Sequence, residues 1–204
     1  MNPITPAQLT WRLLTAGELT RVYLDEMRHD FPPTELKPLS TVLNSEAAGD
    51  AHTWGVFEGG TLVAYLLMVR PKGARVSQLD YFAVLPQYRA SGLGAKLLAK
   101  LPELEGTAAI LIESELPEKA DDPAMAVRRL GFYARCGARD IGWTERLFGA
   151  SWFRVLALSA PDAPALGAEE VVEALADCYR RTMGEPKWKQ CAEFFRPDGT
   201  PKLF

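Results

Sequence analysis

LDYFAVLPQYRASGLGAKLLAKL, residues 79–101, is the stretch on which the interpretation of the whole chain depends. The apolar run 79–85 is typical of a buried strand, and Pro86 ends it. Four leucines then recur at helical spacing, namely Leu93, Leu97, Leu98 and Leu101. The stretch therefore predicts a strand, a glycine-bearing turn and a helix in succession.

The turn between this strand and this helix is suited to hold an anion. The first backbone N–H groups of a helix have no partner inside the helix, and the helix dipole adds roughly half a positive charge there. Gly92 and Gly94 lack a Cβ atom, so a pyrophosphate group can approach the main chain closely. A glycine-rich turn that holds no ligand is the alternative.

The spacing of the turn separates it from two other phosphate-binding motifs. A phosphate-loop nucleoside triphosphatase requires Gly-Lys-Ser/Thr after the turn, and this sequence has none there. Two glycines alone do not make the G-x-G-x-x-G of dinucleotide-binding folds, and no acidic residue follows at the ribose position. The pattern R-x-x-G-x-G after a strand ending in V-x-P instead resembles the acetyl-CoA-binding motif of the GNAT superfamily of N-acetyltransferases.

This resemblance implies a mixed α+β fold with a mostly antiparallel, twisted sheet, flanking helices and splayed central strands. Strands 79–85 and 108–115 would diverge at their C-terminal ends and admit the pantetheine arm of acetyl-CoA, the cosubstrate. No metal ion is implied. The residues that the resemblance assigns to the cosubstrate are Phe82, Ala83, Val84, Arg89, Ala90, Ser91, Gly92, Leu93, Gly94 and Ala95.

The remaining pattern predicts the element order β α α β β β α β α β β over residues 9–159, which also resembles the GNAT fold. The predicted strands are 9–14, 51–57, 61–70, 79–85, 108–115, 138–147 and 151–159. The predicted helices are 16–28, 34–47, the one that follows the glycine turn and runs to about 104, and one from Pro123 that Gly137 ends. We expect residues 1–159 to form the acetyltransferase domain.

Residues 160–204 are expected to form a C-terminal helical extension that the resemblance does not cover. Residues 169–183 have the spacing of an amphipathic helix, and Trp188, Cys191, Ala192 and Phe195 continue at helical spacing. So apolar a segment must be buried, either on its own core, which we favour, or on a partner copy. A homodimer is therefore a hypothesis to be tested.

Composition limits the classes of partner. The 204 residues carry a formal net charge of −3, which gives no basic field for nucleic acid. Three scattered cysteines are too few for a disulfide framework or a zinc cluster and indicate free thiols in a reducing compartment. No apolar run is long enough for a membrane span, and MNPITPAQLT lacks the character of a signal peptide. We therefore expect a cytoplasmic protein that does not bind membranes.

Tyr133 is the candidate acid. It lies four residues before Gly137 and resembles the GNAT tyrosine whose hydroxyl meets the sulfur of CoA. A phenol suits this task because its pKa lies just above that of a thiol. The alternative is an ordinary core tyrosine, since Ala126 and Leu130 share its helix face.

Glu113 is the candidate base. Alternation along the strand places Leu111, Glu113 and Glu115 on one face, at the end where the strands would splay. A carboxyl with an ordinary pKa near 4.3 is a weak base at neutral pH, so partial desolvation would have to raise it. The alternative is a strand-end carboxylate in solvent, and Glu115 and Asp80 are lesser candidates.

The function implied is acetyl transfer from acetyl-CoA to a primary amine by direct attack in a ternary complex. The acceptor is a small-molecule amine or a protein amine, held mainly by residues 16–47 and the closing hairpin. A catalytically silent acyl-CoA-binding sensor or scaffold of the same fold is the alternative. A third interpretation is a protein that uses residues 89–94 to bind a different nucleotide.

Overall fold

The computed structural model of the chain describes residues 9–185 and 187–204. Its strands are β1 Leu9–Leu13, β2 Ala51–Glu58, β3 Thr61–Val69, β4 Val76–Val84, β5 Ala109–Glu115, β6 Arg139–Leu147, β7 Ser151–Ser159, β8 Ala192–Phe195 and β9 Pro201–Lys202. Its α-helices are α1 Ala16–Val22, α2 Arg28–Asp30, α3 Leu39–Ala48, α4 Leu93–Glu105, α5 Pro123–Arg135, α6 Ala168–Met183 and α7 Lys187–Cys191. A π-helical stretch, Tyr23–Met27, joins α1 to α2.

The strands of the described residues form one nine-stranded sheet in the order β1-β2-β3-β4-β5-β7-β6-β8-β9. Only β4 and β5 pair in parallel, and every other neighbouring pair is antiparallel. The predicted mixed fold with a mostly antiparallel sheet is confirmed.

The predicted splay between the central strands is also present. β4 and β5 are in register only from Val76 opposite Ala109 to Leu79 opposite Ile112. Beyond this point β4 continues against β3 and β5 continues against β7. The register of β4 against β3 shifts at Asp80, which has no opposite residue, as in a β-bulge. The two central strands therefore separate directly after Leu79.

Helices cover both faces of this sheet. One face packs against α4 and α5, and the leucines of the predicted α4 stripe are each at most 2% exposed there. Burial of each such side chain stabilises the fold by about 1.5–3 kcal/mol. The other face packs against α1, α3 and α6. The gap between β4 and β5 thus lies between the helices of one face of the sheet and those of the other.

Two predicted helices differ in extent from the observed ones. The helix predicted over residues 34–47 begins only at Leu39, because proline disfavours helical backbone at the preceding residue and Pro38 directly precedes the helix. Residues 31–38 instead form a loop that Tyr81 anchors, since its hydroxyl accepts from Lys37 N and donates to the Glu35 carbonyl, both at 2.8 Å. The helix predicted over 16–28 is interrupted by the π-helical stretch.

The C-terminal segment packs on the core of its own chain, as we favoured. Val171, Val172 and Leu175 of α6 share a buried cluster with Ala109 and Leu111 of β5. This packing extends the hydrophobic core to the second face of the sheet. The division of the chain after residue 159 and the homodimer stay predictions.

The helical spacing predicted through Phe195 is wrong. Residues 192–195 form strand β8, which pairs with β6 and alternates between more and less buried positions. The free edge of β6 supplies hydrogen-bond partners that the sequence pattern does not show, so period-two burial replaces the helical period.

Candidate active site

A cavity of about 830 Å³ opens where β4 and β5 separate. This volume lies in the range of small-molecule sites. Of the predicted cosubstrate residues, all except Ser91 line it, and so do Tyr133 and Glu113. The structure therefore brings the residues predicted from separate segments to one cavity; their roles stay predictions.

The loop before α4 presents unpaired main-chain N–H groups to this cavity. Ala90 and Gly92 have φ values of 59° and 76°, in the left-handed region, so the chain turns sharply twice. The Ser91 hydroxyl donates to the Tyr88 carbonyl at 2.6 Å and accepts from Leu93 N at 3.3 Å. Within the described residues, the amides at 94 and 95 have no hydrogen-bond partner. Such a loop fits a diphosphate.

The two glycines of the loop serve different needs. A Cβ at position 92 would meet no heavy atom within 4 Å, so only its positive φ and the approach of a ligand call for glycine. A Cβ at Gly94 would lie 3.3 Å from Phe132 Cζ and 3.6 Å from Phe82 Cζ. Gly94 thus allows α4 to pack closely against α5 and β4, a role that the motif alone does not reveal.

Arg89 contacts the protein around the loop. Its guanidinium forms an ion pair with Asp30 at 2.5 Å, and its Nε donates to the Val84 carbonyl at 2.8 Å. These contacts tie the loop to the end of β4 and to α2. A contact between Arg89 and a phosphate group stays a prediction.

The edge of β4 that faces the gap is available to a ligand. Leu85 N donates to the Val63 carbonyl at 2.9 Å, on the β3 side. Because backbone groups alternate in direction along a strand, those of Phe82 and Val84 point towards the gap. The Val84 carbonyl already accepts a hydrogen bond from Arg89 Nε, so of the two carbonyls that of Phe82 is the one left open. This geometry supports the predicted role of the main chain at 82–84 in holding an amide-bearing arm.

Tyr133 lies on the α5 side of the gap and is 9% exposed. Within residues 9–185 and 187–204, its hydroxyl has no hydrogen-bond partner. Burial raises the pKa of Tyr133 to about 12, although Arg129 opposes the shift. The phenol is therefore protonated at neutral pH and can donate a hydrogen bond into the cavity.

Glu113 lies on the opposite face of the sheet, the face that packs against α6. Its carboxylate accepts from Gln78 Nε2 at 2.6 Å and from the Tyr179 hydroxyl. The alternative of a carboxylate free in solvent is therefore wrong. The chemical role of Glu113 as a base is still a prediction.

Three groups around Glu113, namely Gln78, Tyr179 and Lys37, are absent from the sequence prediction, whereas Asp80 is one of its lesser candidate bases. Gln78 is buried in β4, and Tyr179 comes from α6, where its helical spacing indicated only a core residue. Lys37 and Asp80 form an ion pair at 2.7 Å, with side chains about nine-tenths buried. Burial raises the pKa of Asp80, and Lys37 opposes this. No sequence signal connects the four segments.

The end of the cavity around Glu113 is predominantly acidic. Its carboxyl side chains are those of Glu35, Asp80, Glu113 and Glu115. Its two cations are already paired, Lys37 with Asp80 and Arg129 with Glu115. Burial raises the pKa of Glu35, and the proximity of Glu115 adds to the shift. A positively charged ligand would therefore be favoured here.

Across residues 9–185 and 187–204, no cluster of three or more His, Cys, Asp or Glu has the arrangement of a metal site. None of the helices in that part of the chain is both long and apolar enough to traverse a bilayer.

The sequence also matches a family model, that of the acetyltransferase (GNAT) family, over residues 18–137. The chain belongs to this family. The match covers more than half of the 204 residues and includes the loop, Glu113 and Tyr133. No curated protein matches the sequence of this GNAT protein.

Solved structures similar to this GNAT protein show the same fold. A protein from Bacteroides thetaiotaomicron assigned to the GNAT family is 20% identical, with a TM-score of 0.63, and the alignment covers 86% of this chain and 98% of that one. The ribosomal-protein-S18-alanine N-acetyltransferase from Escherichia coli is 21% identical, with a TM-score of 0.53 and coverage of 78% and 99%. A variant of the spermidine N-acetyltransferase from Vibrio cholerae is 11% identical, with a TM-score of 0.56 and coverage of 75% and 94%.

Proposed function

We propose that this GNAT protein transfers the acetyl group of acetyl-CoA to a primary amine by direct attack in a ternary complex. One observation carries the proposal. The unpaired amides of the 90–95 loop, the open hydroxyl of Tyr133 and the half-buried carboxylate of Glu113 all line one cavity at the splay. The loop fits a diphosphate, and the open edge of β4 fits the arm that links it to the thioester.

Glu113 addresses the first proton transfer of this reaction. An alkylammonium with a pKa near 10.4 is almost wholly protonated at pH 7, and its deprotonation costs about 4.6 kcal/mol. We propose that an oxygen of Glu113 takes this proton, directly or through one water. The amine nitrogen then forms its bond to the thioester carbonyl carbon.

Tyr133 addresses the second proton transfer. When the carbon–sulfur bond breaks, the leaving thiolate needs a proton or a strong hydrogen bond. The hydroxyl of Tyr133 is protonated at neutral pH, as any phenol with a pKa of about 10 or above is, and it has no competing partner in the described structure. Glu113 and Tyr133 act from opposite faces of the sheet, so one group serves the acceptor and the other serves the donor.

The charge at the acceptor end supports a small amine that carries positive charge. A second recess of about 330 Å³ continues from the main cavity and shares Glu35, Lys37, Phe148 and Met183 with it. An elongated amine would place its reacting nitrogen near Glu113 and the rest of its length in this recess, whose charged side chains are Glu35, Lys37 and Lys187. The similar enzyme from Vibrio cholerae acts on spermidine, an amine of this kind.

We further propose a cytoplasmic location and leave the homodimer as a prediction. Cys136, Cys178 and Cys191 are all free thiols, which suits a reducing compartment. The structure of a dodecameric spermidine N-acetyltransferase from Vibrio cholerae concerns that protein only. Solution mass of the full chain measures the oligomeric state directly.

The test is thiol release from acetyl-CoA with spermidine, a lysine derivative and a peptide amine as acceptors. We expect turnover with at least one cationic amine and product mass increased by one acetyl group. Binding of acetyl-CoA without turnover across the panel would instead favour the silent sensor. Thermal stabilisation by ATP or NAD, but not by CoA, would favour the third interpretation.

A further inference from the structure

Glu145 is a fully buried carboxyl group directly behind the candidate base. It lies on β6, is 0% exposed, and shares the sheet face of Glu113 and α6. The carboxyl group of Glu113 and the hydroxyl of Tyr179 are the main polar groups that act on it. It does not line the cavity, so it has no direct access to a ligand.

The hydrogen bonds around Glu145 do not suit an ionised carboxylate. The side chains of Glu113 and Tyr179 interact with Glu145, but neither of its oxygens accepts a well-formed hydrogen bond from the described residues. Gln78 Oε1 is also unpartnered. An ionised carboxylate in such a site would carry a large desolvation penalty. Burial raises the pKa of Glu145 well above its usual range, and the proximity of Glu113 adds to this.

The charged and titratable groups that face Glu145 come from three elements. They are Glu113 of β5, Tyr179 of α6 and Lys37 of the 31–38 loop. The neighbouring strands β7 and β8 set apolar side chains opposite it, Phe153 and Phe194. Lys37 is already bound to Asp80 and is therefore not a full counterion for a second carboxylate.

We propose that Glu113 and Glu145 form a carboxyl pair that holds one shared proton at neutral pH, and that Tyr179 of the C-terminal segment positions this pair for the reaction. The inference rests on the proposed function where it concerns catalysis. Its structural part, the shared proton, is independent of any activity. Glu113 alone touches the substrate, and Glu145 and Tyr179 act through it.

The pair gives the proton transfer a favourable charge balance. Before the reaction it carries one negative charge, with the proton on Glu145. The ammonium of the acceptor then loses its N–H proton to an oxygen of Glu113, which leaves a neutral amine and a neutral carboxyl pair. Two opposite charges, one on the ammonium and one on the pair, disappear together, and the burial of Glu145 favours the neutral form of the pair.

The first experiment compares the unfolding equilibrium of the wild-type chain with that of Glu145→Gln between pH 4 and pH 9. Glutamine keeps the shape of a protonated carboxyl group but cannot ionise. Above the ordinary pKa of a glutamate, about 4.3, the unfolded chain releases a proton that native Glu145 retains. The unfolding constant of the wild type relative to E145Q should therefore rise by up to about tenfold per pH unit, until native Glu145 itself ionises.

Glu105→Gln is the matched control, because Glu105 is a buried carboxyl group outside the cavity. It accepts hydrogen bonds from His52, Trp54 and Ser77. The pKa of Glu105 is lowered, so the wild-type chain should gain stability relative to E105Q as the pH rises through the acid range. The ratio for E105Q should thus change in the opposite direction, chiefly below the ordinary glutamate pKa of about 4.3, and stay flat from pH 5 to pH 7, where the ratio for E145Q changes. A flat ratio for E145Q from pH 5 to pH 7 would overturn the shared proton.

The second experiment tests the coupling between the two carboxyl groups. In a Glu113→Gln background the neighbouring negative charge is gone, so the pH interval over which Glu145 retains its proton should become shorter. An interval of unchanged length would show that Glu113 takes no part in holding the proton. Infrared difference spectra of wild type minus E145Q at pH 7 should show the carbonyl band of a protonated carboxyl group, and its absence would likewise overturn the pair.

The third experiment concerns Tyr179. Tyr179→Phe keeps the ring that contacts Phe194 and removes only the hydroxyl that donates to Glu113. We expect kcat to fall by about tenfold, with a displaced pH profile of kcat and an unchanged KM for acetyl-CoA. An unchanged kcat and pH profile, with lower thermal stability alone, would reduce Tyr179 to a packing residue. If the wild type acetylates no amine, the proposed function fails. The pH dependence of the unfolding constant still tests whether the carboxyl pair holds a shared proton.

Discussion

The two ends of the cavity are built in different ways. At the end that we propose binds the cosubstrate, the groups that line the cavity are main-chain amides and the edge of one strand, all between residues 82 and 95. At the end proposed for the acceptor, they are side chains from β4, β5, α6 and the 31–38 loop. One end is local in sequence, and the other exists only where distant segments meet.

This difference predicts how each end responds to substitution. A main-chain site tolerates changes of side chain except where a new Cβ or charge blocks the approach of a ligand. A site built from side chains depends on the particular functional groups and on their protonation states. The predictions below test this contrast, from the largest expected effect to the smallest.

Glu113→Gln should abolish most of the turnover. It removes the proposed proton acceptor while keeping a similar shape, so we expect kcat to fall by about 10²- to 10⁴-fold. The stabilisation of the protein by CoA should be unchanged, because the loop before α4 is untouched. Steady-state kinetics and thermal unfolding with CoA measure the two effects. Glu118→Gln, at an exposed position, is the control, and a similar loss there would contradict the assignment.

Tyr133→Phe should lower kcat by about 10²-fold, because the thiolate then leaves without its donor. The dissociation constant of CoA should be nearly unchanged, since the ring still fills its site. Kinetics at saturating acetyl-CoA and calorimetric titration with CoA measure the two quantities. Equal losses in turnover and in affinity would identify Tyr133 as a packing residue.

Gly92→Asp should weaken CoA binding by about 10- to 100-fold, because a carboxylate would repel the diphosphate and the left-handed backbone disfavours a side chain. Gly49→Asp is the matched control. Gly49 has nearly the same φ, 77°, and no heavy atom within 4 Å of a built Cβ, but it caps α3 outside the cavity. Both variants should lose similar stability, and only the first should lose CoA-induced stabilisation. If that stabilisation survives in Gly92→Asp, the loop is not the binding site.

Glu105→Gln should destabilise the protein by roughly 1–3 kcal/mol at neutral pH without a change in the pH profile of turnover. Burial acts to raise the pKa of Glu105, but hydrogen bonds from His52, Ser77 and Trp54 outweigh it and lower the pKa. The stabilisation is therefore present above the ordinary pKa of a glutamate and is lost as the pH falls through the lowered value. Chemical unfolding at pH 3, 5 and 7 measures this, and equal stability of both proteins at pH 7 would contradict it.

Glu105 and Glu145 show why sequence alone does not assign the roles of carboxyl groups. Both are buried glutamates near the C-terminal ends of their elements, α4 and β6. Three donors surround Glu105, whereas Glu145 faces another carboxyl group. Their pKa values consequently move in opposite directions. The donors come from residues more than 25 positions away in sequence, so no local pattern reveals them.

The sequence by itself determined the strand, turn and helix of residues 79–101, the order of the elements to residue 159, and the positions of Glu113 and Tyr133. These features depend on hydrophobic period, glycine and proline, which act within a few residues. Only the tertiary structure decided where α3 begins, that residues 192–195 join the sheet, and that Tyr179 and Glu145 meet Glu113. The physical reason is that the pKa and the partners of a buried polar group depend on long-range packing, which brings together segments that carry no shared signal in the chain.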